Sequence, residues 1–517
     1  MTTVTCHSRV SENHLARFFE PRDDLVTETR TGEGTFVLDE GPFHVWLREV
    51  TVDRTDDGDP LVTEATTFRL AVPFWGLLFR WPLRRRIVRR HRRLAVGSRP
   101  PESGRIPAWL PPDRLDARSA MVLATISSLS VVTGYLGTII SQTITYSADQ
   151  FGATTGDQGN VLAAVRIGVL GSLAIVALAD RRGRRKLLLA SIAASCVTAA
   201  FSAVTTSMWT LAVAQTVSRA FSTAAAILLA IVAAEEMPRS SRAYAVGVMT
   251  LAGGLGAGVC VWFLPLADTS AGGWRWLYVI PLVGLYPLLR LSRVLPETRR
   301  FIRRTTKVAL TGHGSRLLLV GAALFAAALF ATPASQLQNT FLDHERDFSA
   351  ARIALFTVAT STPAALGVAF GGRLADTRGR RLVGGIGVLG GSLLVLIGFF
   401  SHGWTMWAWT LAGTILGGAA VPAIAVYGPE LFPTALRGKA NGILQVAAVA
   451  GSSAGLLTVG ALVDHWGRMG PAMAVMLAGP VLVAVLLGVA YPETAHRTLE
   501  EVNPEDATGC DGTATPV

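Results

Sequence analysis

Two arginines, Arg166 and Arg219, sit deep inside long apolar stretches of this 517-residue chain. Arg166 lies nine residues beyond Asp157, about 14 Å along a helix, and Arg219 lies ten residues into its own stretch, about 15 Å. A guanidinium stays charged and offers a planar fork of donors that suits a carboxylate. Within lipid such a group is expensive and usually faces a cavity. No acid lies equally deep in the neighbouring apolar stretches to neutralise the pair. They therefore either bind an anionic ligand or are satisfied by helix carbonyls and water and support packing. A second set follows Pro333, which removes a backbone hydrogen bond and kinks a helix. It consists of Gln336, Gln338 and Asn339. Gln215, Gln445, Gln142 and Tyr135 are further candidates, although each alone serves equally well as an interhelical hydrogen bond.

The elements that carry these residues are membrane helices. A span needs about 20 mainly apolar residues, and twelve such stretches recur from Met121 onward: about 119–142, 158–179, 187–206, 209–233, 243–266, 274–295, 316–341, 351–374, 382–401, 404–428, 439–463 and 471–490. Charge is divided accordingly. Of the first 118 residues 36 are charged, against 47 of the other 399, which excludes both a disordered chain and a soluble domain throughout. The even-numbered breaks between stretches hold 21 basic residues and the odd-numbered breaks hold only Arg275, Arg346, Arg352 and Arg468. The positive-inside rule puts the even breaks, and with them both termini, in the cytoplasm. Trp404, Trp407 and Trp409 open the tenth stretch as an interface belt.

The chain also repeats itself. LADRRGRR at 178–185 recurs as LADTRGRR at 374–381. Glu235-x-x-Pro238-x-x-x-Arg242 recurs as Glu430-x-x-Pro433-x-x-x-Arg437, and Pro296-Glu297-Thr298 as Pro492-Glu493-Thr494, each at an offset of 195 or 196. Three matches at one spacing imply two parallel halves of six spans around a midplane site.

These residues resemble the major facilitator superfamily. Its loop signature G-x-L-A-D-x-x-G-R-R runs in full from Gly372 to Arg381, and Val176 replaces the first Gly in the earlier copy. The Glu-x-x-Pro-x-x-x-Arg-Gly motif (Ala243 stands where Gly438 does) and the Pro-Glu-Thr ends resemble the sugar-porter branch and its metabolite-transporting relatives. The resemblance implies an all-α membrane protein of twelve transmembrane helices in two pseudo-symmetric halves, working by alternating access. It implies a cytoplasmic gate of Asp180, Arg184, Arg185, Glu235, Arg242 and Glu297 with Asp376, Arg380, Arg381, Glu430, Arg437 and Glu493. There the carboxylates cap helix N-termini or pair with Arg. It also matches Arg219 to the fourth-span Arg of sugar porters and the span-7 amides to their hydroxyl-binding cluster. The first-span acid that partners this Arg and couples protons in sugar porters is replaced by Leu136. Uniport or coupling elsewhere then stands beside proton symport. The alternative is a drug-type exporter driven by proton antiport, although the fifth span lacks the Gly-Pro motif of that group. A sensor without transport is a third class.

The resulting organisation is a small α+β cytoplasmic segment with a basic amphipathic helix at 1–98, a Pro-rich linker at 99–118, and six-helix halves at 119–295 and 316–490. A basic cytoplasmic linker at 296–315 joins the halves, and a tail follows at 491–517. In the first segment, strands are expected over 35–53 and 61–72 around a turn at 56–59. A helix over about 74–94 is expected to lay Trp75, Leu78, Phe79, Leu83 and Ile87 on the inner leaflet, its Arg row on anionic lipid. Nucleic-acid binding is the rival reading of that row, and attachment beside a membrane argues against it. No catalytic constellation is visible, so an enzyme is not expected. The four cysteines lack pairing or metal spacing, and no metal or cofactor is expected. The first 30 residues hold no apolar run, so no signal peptide is expected. The expected partners are a small solute (an organic anion or a sugar-like metabolite), a coupling proton if symport applies, and the bilayer. The expected state is a monomer in the inner membrane.

Overall fold

The computed structural model describes residues 1–54, 59–97, 114–238, 241–292, 313–425, 427, 431–432 and 437–493. Its N-terminal part is a five-stranded antiparallel sheet: β1 Thr2–Arg9, β2 Thr27–Gly32, β3 Thr35–Glu40, β4 Phe43–Asp53 and β5 Leu61–Leu70, in the order β1-β5-β4-β3-β2. Strand was expected over 35–53 and 61–72; the structure divides the first stretch into β3 and β4 at Gly41-Pro42, and it adds β1, whose alternation rests on Val4 and Cys6 alone in a polar run, and β2, which is mainly polar and exposed. Helix α1, Gly76–Ala95, packs across the sheet. Leu83 and Ile87 join Val4, Phe43, Trp46 and Phe68, and Leu94 joins Phe18, Phe36 and Val62. Leu83 and Ile87 thus belong to the core between helix and sheet, a correction to their expected place on lipid. The outer side of the first turns keeps Phe74, Leu77, Leu78, Phe79 and Trp81 exposed.

The inner face of the sheet carries charge as well. On β4 and β5, Arg48 and Glu64 alternate inward with Trp46, Val50, Val62 and Phe68, and both are fully buried. Arg48 Nη2 meets Glu28 Oε2 at 2.6 Å and its Nη1 donates to the Phe18 carbonyl at 2.8 Å. Glu64 pairs with His91 of α1 at 2.8 Å and faces Arg22, Arg48 and Arg90. Burial alone would raise the Glu64 carboxyl. The His91 hydrogen bond and the three guanidinium charges outweigh it and hold the group at about 2.

The remainder is a helical bundle: α2 Ala117–Phe151, α3 Thr155–Arg182, α4 Arg184–Phe201, α5 Met208–Glu236, α6 Arg242–Trp262, α7 Arg275–Val279, α8 Leu285–Ser292, α9 Gly314–Gln336, α10 Gln338–His344, α11 Ala350–Ser361, α12 Ala364–Arg378, α13 Arg380–Phe400, α14 Gly403–Ala425, α15 Arg437–Trp466, α16 Met469–Met476 and α17 Ala478–Val489. Eleven of the described helical stretches are long and apolar enough to cross a membrane. The segment expected as a sixth continuous span is instead broken among its described residues into α7, a 3₁₀ turn over Ile280–Gly284 and α8. Pro281 at the start of the turn lacks the N–H that a continuous helix needs. The seventh stretch breaks at Leu337, four residues after Pro333, where its N–H still bonds the Pro333 carbonyl. Asp116 caps α2 through the Ser119 amide at 2.8 Å, and Thr154 and Asp157 form a capping box on α3. In both copies of the loop motif a single glycine joins two helices, Gly183 at φ +98° and Gly379 at φ +101°. This backbone region is open to glycine and strained for other residues. The N-terminal part is tied to the bundle by Arg114, which pairs with Asp23 and donates to Thr27, and by Trp75, which donates to Ser128 at 2.9 Å.

Candidate functional site

The bundle has an Arg-rich end, carrying the loops around Gly183 and Gly379, and an Arg-poor end, carrying Phe151 and Trp466. At the Arg-poor end the helices before residue 293 meet those after residue 312 along a polar seam. α3 presents Gly156, Gly159 and Ala163, spaced three and four apart on one face, to α15. Asp464 of α15 accepts from the Gly156 amide, both oxygens at 3.0 Å, and from Thr154 Oγ1 at 2.9 Å. A carboxylate on a helix N-terminus meets its unpaired N–H groups and positive dipole end. Farther in, Ser453 Oγ donates to the Ala163 carbonyl at 3.5 Å. α10 completes the seam against α2 and α3. Asn339 Nδ2 donates to the Gln142 carbonyl at 3.0 Å and to its Oε1 at 3.1 Å. Thr340 donates to Gln158 Oε1 at 2.6 Å and shares a hydrogen bond with Thr145 at 2.9 Å. At the rim His344 Nε2 lies 3.0 Å from Asp149 Oδ1.

Arg166 follows Ala163 by three residues, so it continues the α3 stripe just beneath the seam. With the Gln336 amide set as its neighbours require, Gln336 Oε1 accepts from Arg166 Nε at 3.1 Å and from Nη2. Two candidates from opposite helix groups are therefore in contact. Arg219 of α5 lies near enough to Arg166 to feel its charge. It rests against α2 at Gly137, where a Cβ would stand 3.5 Å from its Nη1. This is the stretch in which Leu136 stands in for an acid. Among the described residues, Arg219 has no side-chain hydrogen-bond or ion-pair partner. Gln445 of α15 is exposed and lies about two turns before Ser453.

The other candidates are occupied elsewhere. Gln338 donates to Thr357 at 3.4 Å, and Asn339 sits in the seam. Gln215 donates to Ser202 at 2.8 Å inside the first helix group, and Tyr135 donates to the Leu277 carbonyl at 2.8 Å. The seam residues Asp464, Gln158, Thr145 and Thr340 were not singled out in the sequence. Their signal is faint, since each is an ordinary polar residue near a helix end.

At the Arg-rich end, Glu493 accepts from the backbone amides of Arg380 at 3.0 Å and Arg381 at 3.2 Å, so it caps α13. Arg381 donates through Nε to the Leu487 carbonyl at 2.9 Å and through Nη2 to that of Gly488. Arg184 and Arg185 are half-buried at the matching start of α4. Glu297 and Glu430 lie outside the described residues, as do the side chains of Asp180, Glu235, Arg242, Asp376 and Arg437. Arg118 pairs with Glu236 at 3.3 Å.

The sequence matches the Major Facilitator Superfamily over residues 119–342 and 317–510, most of the chain. The chain belongs to the Major Facilitator Superfamily. It is 30% identical over 172 residues to a D-xylose transporter of Levilactobacillus brevis, a stretch that is 33% of this chain and 37% of that relative's length. Among solved structures it is similar to the inward-open xylose transporter XylE from E. coli, with a TM-score of 0.63 at 17% identity over 75% of this chain and 99% of that one. It is also similar to the nucleoside transporter NupG, with a TM-score of 0.61 at 13% identity over 72% of this chain and all of that one. These likenesses show the fold. The superfamily member described here is a multi-pass membrane transporter, not an enzyme.

The seam leaves no spare room in this superfamily member. A Cβ on Gly159 would stand 2.6 Å from the Leu456 carbonyl oxygen. Gly159→Leu should hold α3 and α15 apart and stop the Arg-poor end from closing. Maleimide labelling of a cysteine placed at Ser453 should then rise at least about tenfold. Unchanged labelling would mean that the helices tolerate the bulk and the contact is not tight.

Proposed function

We propose that this protein moves a small organic anion carrying hydroxyl groups across the inner membrane by alternating access. The observation that carries the reading is the cluster beneath the seam. Arg166 already spends its fork on Gln336, while Arg219 keeps a positive charge without a described partner in a place where such charge is expensive. A ligand carboxylate on Arg219, with hydroxyls on Gln336 and Gln445, would neutralise and fill the site. The D-xylose transporters among its relatives support a sugar-like body for the ligand.

In this reading there are twelve spans in two six-helix halves, with α7, the 3₁₀ turn and α8 forming the sixth. The matching glycine turns at 183 and 379 support the duplication. The Arg-rich end faces the cytoplasm, as do both termini. Its clusters around Asp180, Arg184, Arg185, Glu235, Arg242 and Glu297, and around Asp376, Arg380, Arg381, Glu430, Arg437 and Glu493, act as the inner gate. The seam acts as the outer one. The exposed apolar turns of α1 lie in the inner leaflet, since Trp75 reaches Ser128, eleven residues into α2 and about 16 Å along it. The adjoining Arg row lies on anionic headgroups.

Proteoliposome uptake tests the substrate class. A labelled sugar acid such as a uronate should enter at least about tenfold faster than labelled xylose, and unlabelled acid should compete. Equal or faster xylose entry without competition by the acid would remove the anion from the reading.

A further inference from the structure

We propose that Asp149, Asp343 and His344 form a divalent transition-metal site that staples the two helix groups together across the outer end of the seam. The three donors come from two elements. Asp149 ends α2, and Asp343 and His344 end α10. His344 Nε2 stands 3.0 Å from Asp149 Oδ1 and 3.7 Å from Asp343 Oδ2, and the donor atoms of all three lie within 4.8 Å of one another. A tetrahedral ion with bonds of about 2.0–2.1 Å needs donor pairs about 3.3–3.4 Å apart. The closer two spacings bracket that value, so a small rotamer adjustment completes the set.

The donor chemistry selects the ion. One imidazole with two carboxylates suits Zn²⁺ and its first-row neighbours, whereas Ca²⁺ and Mg²⁺ favour oxygen donors alone. Three protein ligands leave a fourth position for water. A separate observation supplies that water with a partner. Tyr146 lies three residues before Asp149 on the same face of α2, and its hydroxyl is shut off from solvent and lacks a hydrogen-bond partner among the described residues. A buried hydroxyl left without a partner is uncommon, and an ion-bound water beside these carboxylates satisfies it. Asp268 adds negative charge nearby and so raises the attraction for a dication. Without metal, His344 and Asp149 hold the rim by one hydrogen bond that opening must break. With metal, opening must break coordinate bonds, and the bundle stays shut at this end.

The proposal goes beyond the substrate reading and shares with it only the outward assignment of the seam. The purified full-length protein is titrated with ZnCl₂ and followed by thermal shift, since a ligand that binds only the folded state raises its melting temperature. Zn²⁺ should raise it at micromolar concentrations and Mg²⁺ should not. His344→Ala and Asp343→Asn should each weaken the apparent Zn²⁺ affinity at least about tenfold. In proteoliposomes, Zn²⁺ on the seam side should slow flux in the wild type. It should have little effect on either variant, each measured against its own metal-free rate. Equal Zn²⁺ affinity in the wild type and both variants, or no binding at all, overturns the site. Binding at the site without slower flux overturns the staple. Inhibition from the opposite face only would keep the staple and overturn the orientation assigned above.

Discussion

Arg219→Gln should abolish transport and at the same time raise the melting temperature of the purified protein. The two effects have one origin. Arg219 carries its charge inside the bundle with Arg166 as its charged neighbour and no described partner. Holding a half-buried guanidinium beside a like charge destabilises the empty protein, and replacing it by a neutral group of similar reach removes that penalty. The substrate depends on the same charge. Truncating one member of a desolvated charge pair typically costs about 2–5 kcal/mol, a loss in affinity of about 30-fold to a few thousandfold. Arg219→Lys separates charge from shape. Lysine keeps the charge and loses the bidentate fork, so it should keep part of the flux with weakened apparent affinity. Uptake in proteoliposomes and a melting curve on the same preparation check both halves. If Arg219→Gln melts lower and still transports, the residue is a packing element held by carbonyls and water.

How much of this was legible in the sequence depends on the kind of signal. The loop glycines were readable because their requirement is local. A one-residue link between two helices needs a backbone angle that glycine adopts freely, and Gly183 and Gly379 adopt nearly the same one. The pairing of Arg166 with Gln336 was readable only as two candidates on separate stretches. Their contact depends on how α3 meets α9, which no short-range pattern encodes. The seam was missed because Asp464, Thr340 and Gln158 look like ordinary helix-end polars until the partner helix is in place. Leu83 and Ile87 were assigned to lipid because an amphipathic Arg-rich helix fits a membrane surface and a sheet face equally well. β1 and β2, which complete the sheet beneath that helix, carry too few apolar residues to announce themselves: Val4 and Cys6 in β1 and none in β2. The broken sixth span shows the same limit from the other side. Composition and length describe a span, while Pro281 decides whether it is one helix.

Arg48→Ala should unfold the N-terminal sheet while leaving the helical bundle intact. Arg48 is wholly buried, and four carbonyl or carboxylate groups depend on it: Glu28, Glu64, and the backbone oxygens of Phe18 and Glu20. Its removal leaves two buried carboxylates short of positive charge, and breaking a buried pair from one side costs about 3–5 kcal/mol. A domain of this size has only about 5–15 kcal/mol in total, so the substitution uses much of its margin. Rapid proteolysis within residues 1–97, with an unchanged elution profile of the detergent-solubilised bundle, is the expected result. Acid should reach the same state in the wild type. The Glu64 carboxyl is held at about 2 against an ordinary value of 4.5. A depressed folded value gives stability that is present above 4.5 and lost as the pH falls toward 2. Removing Arg48 takes away one of the charges that hold it down, so any sheet that survives in the variant should lose structure at a higher pH than the wild type. An acid transition at the same pH in both proteins would mean that His91, Arg22 and Arg90 suffice for Glu64. Arg48 would then act on the fold through Glu28 and the two carbonyls alone.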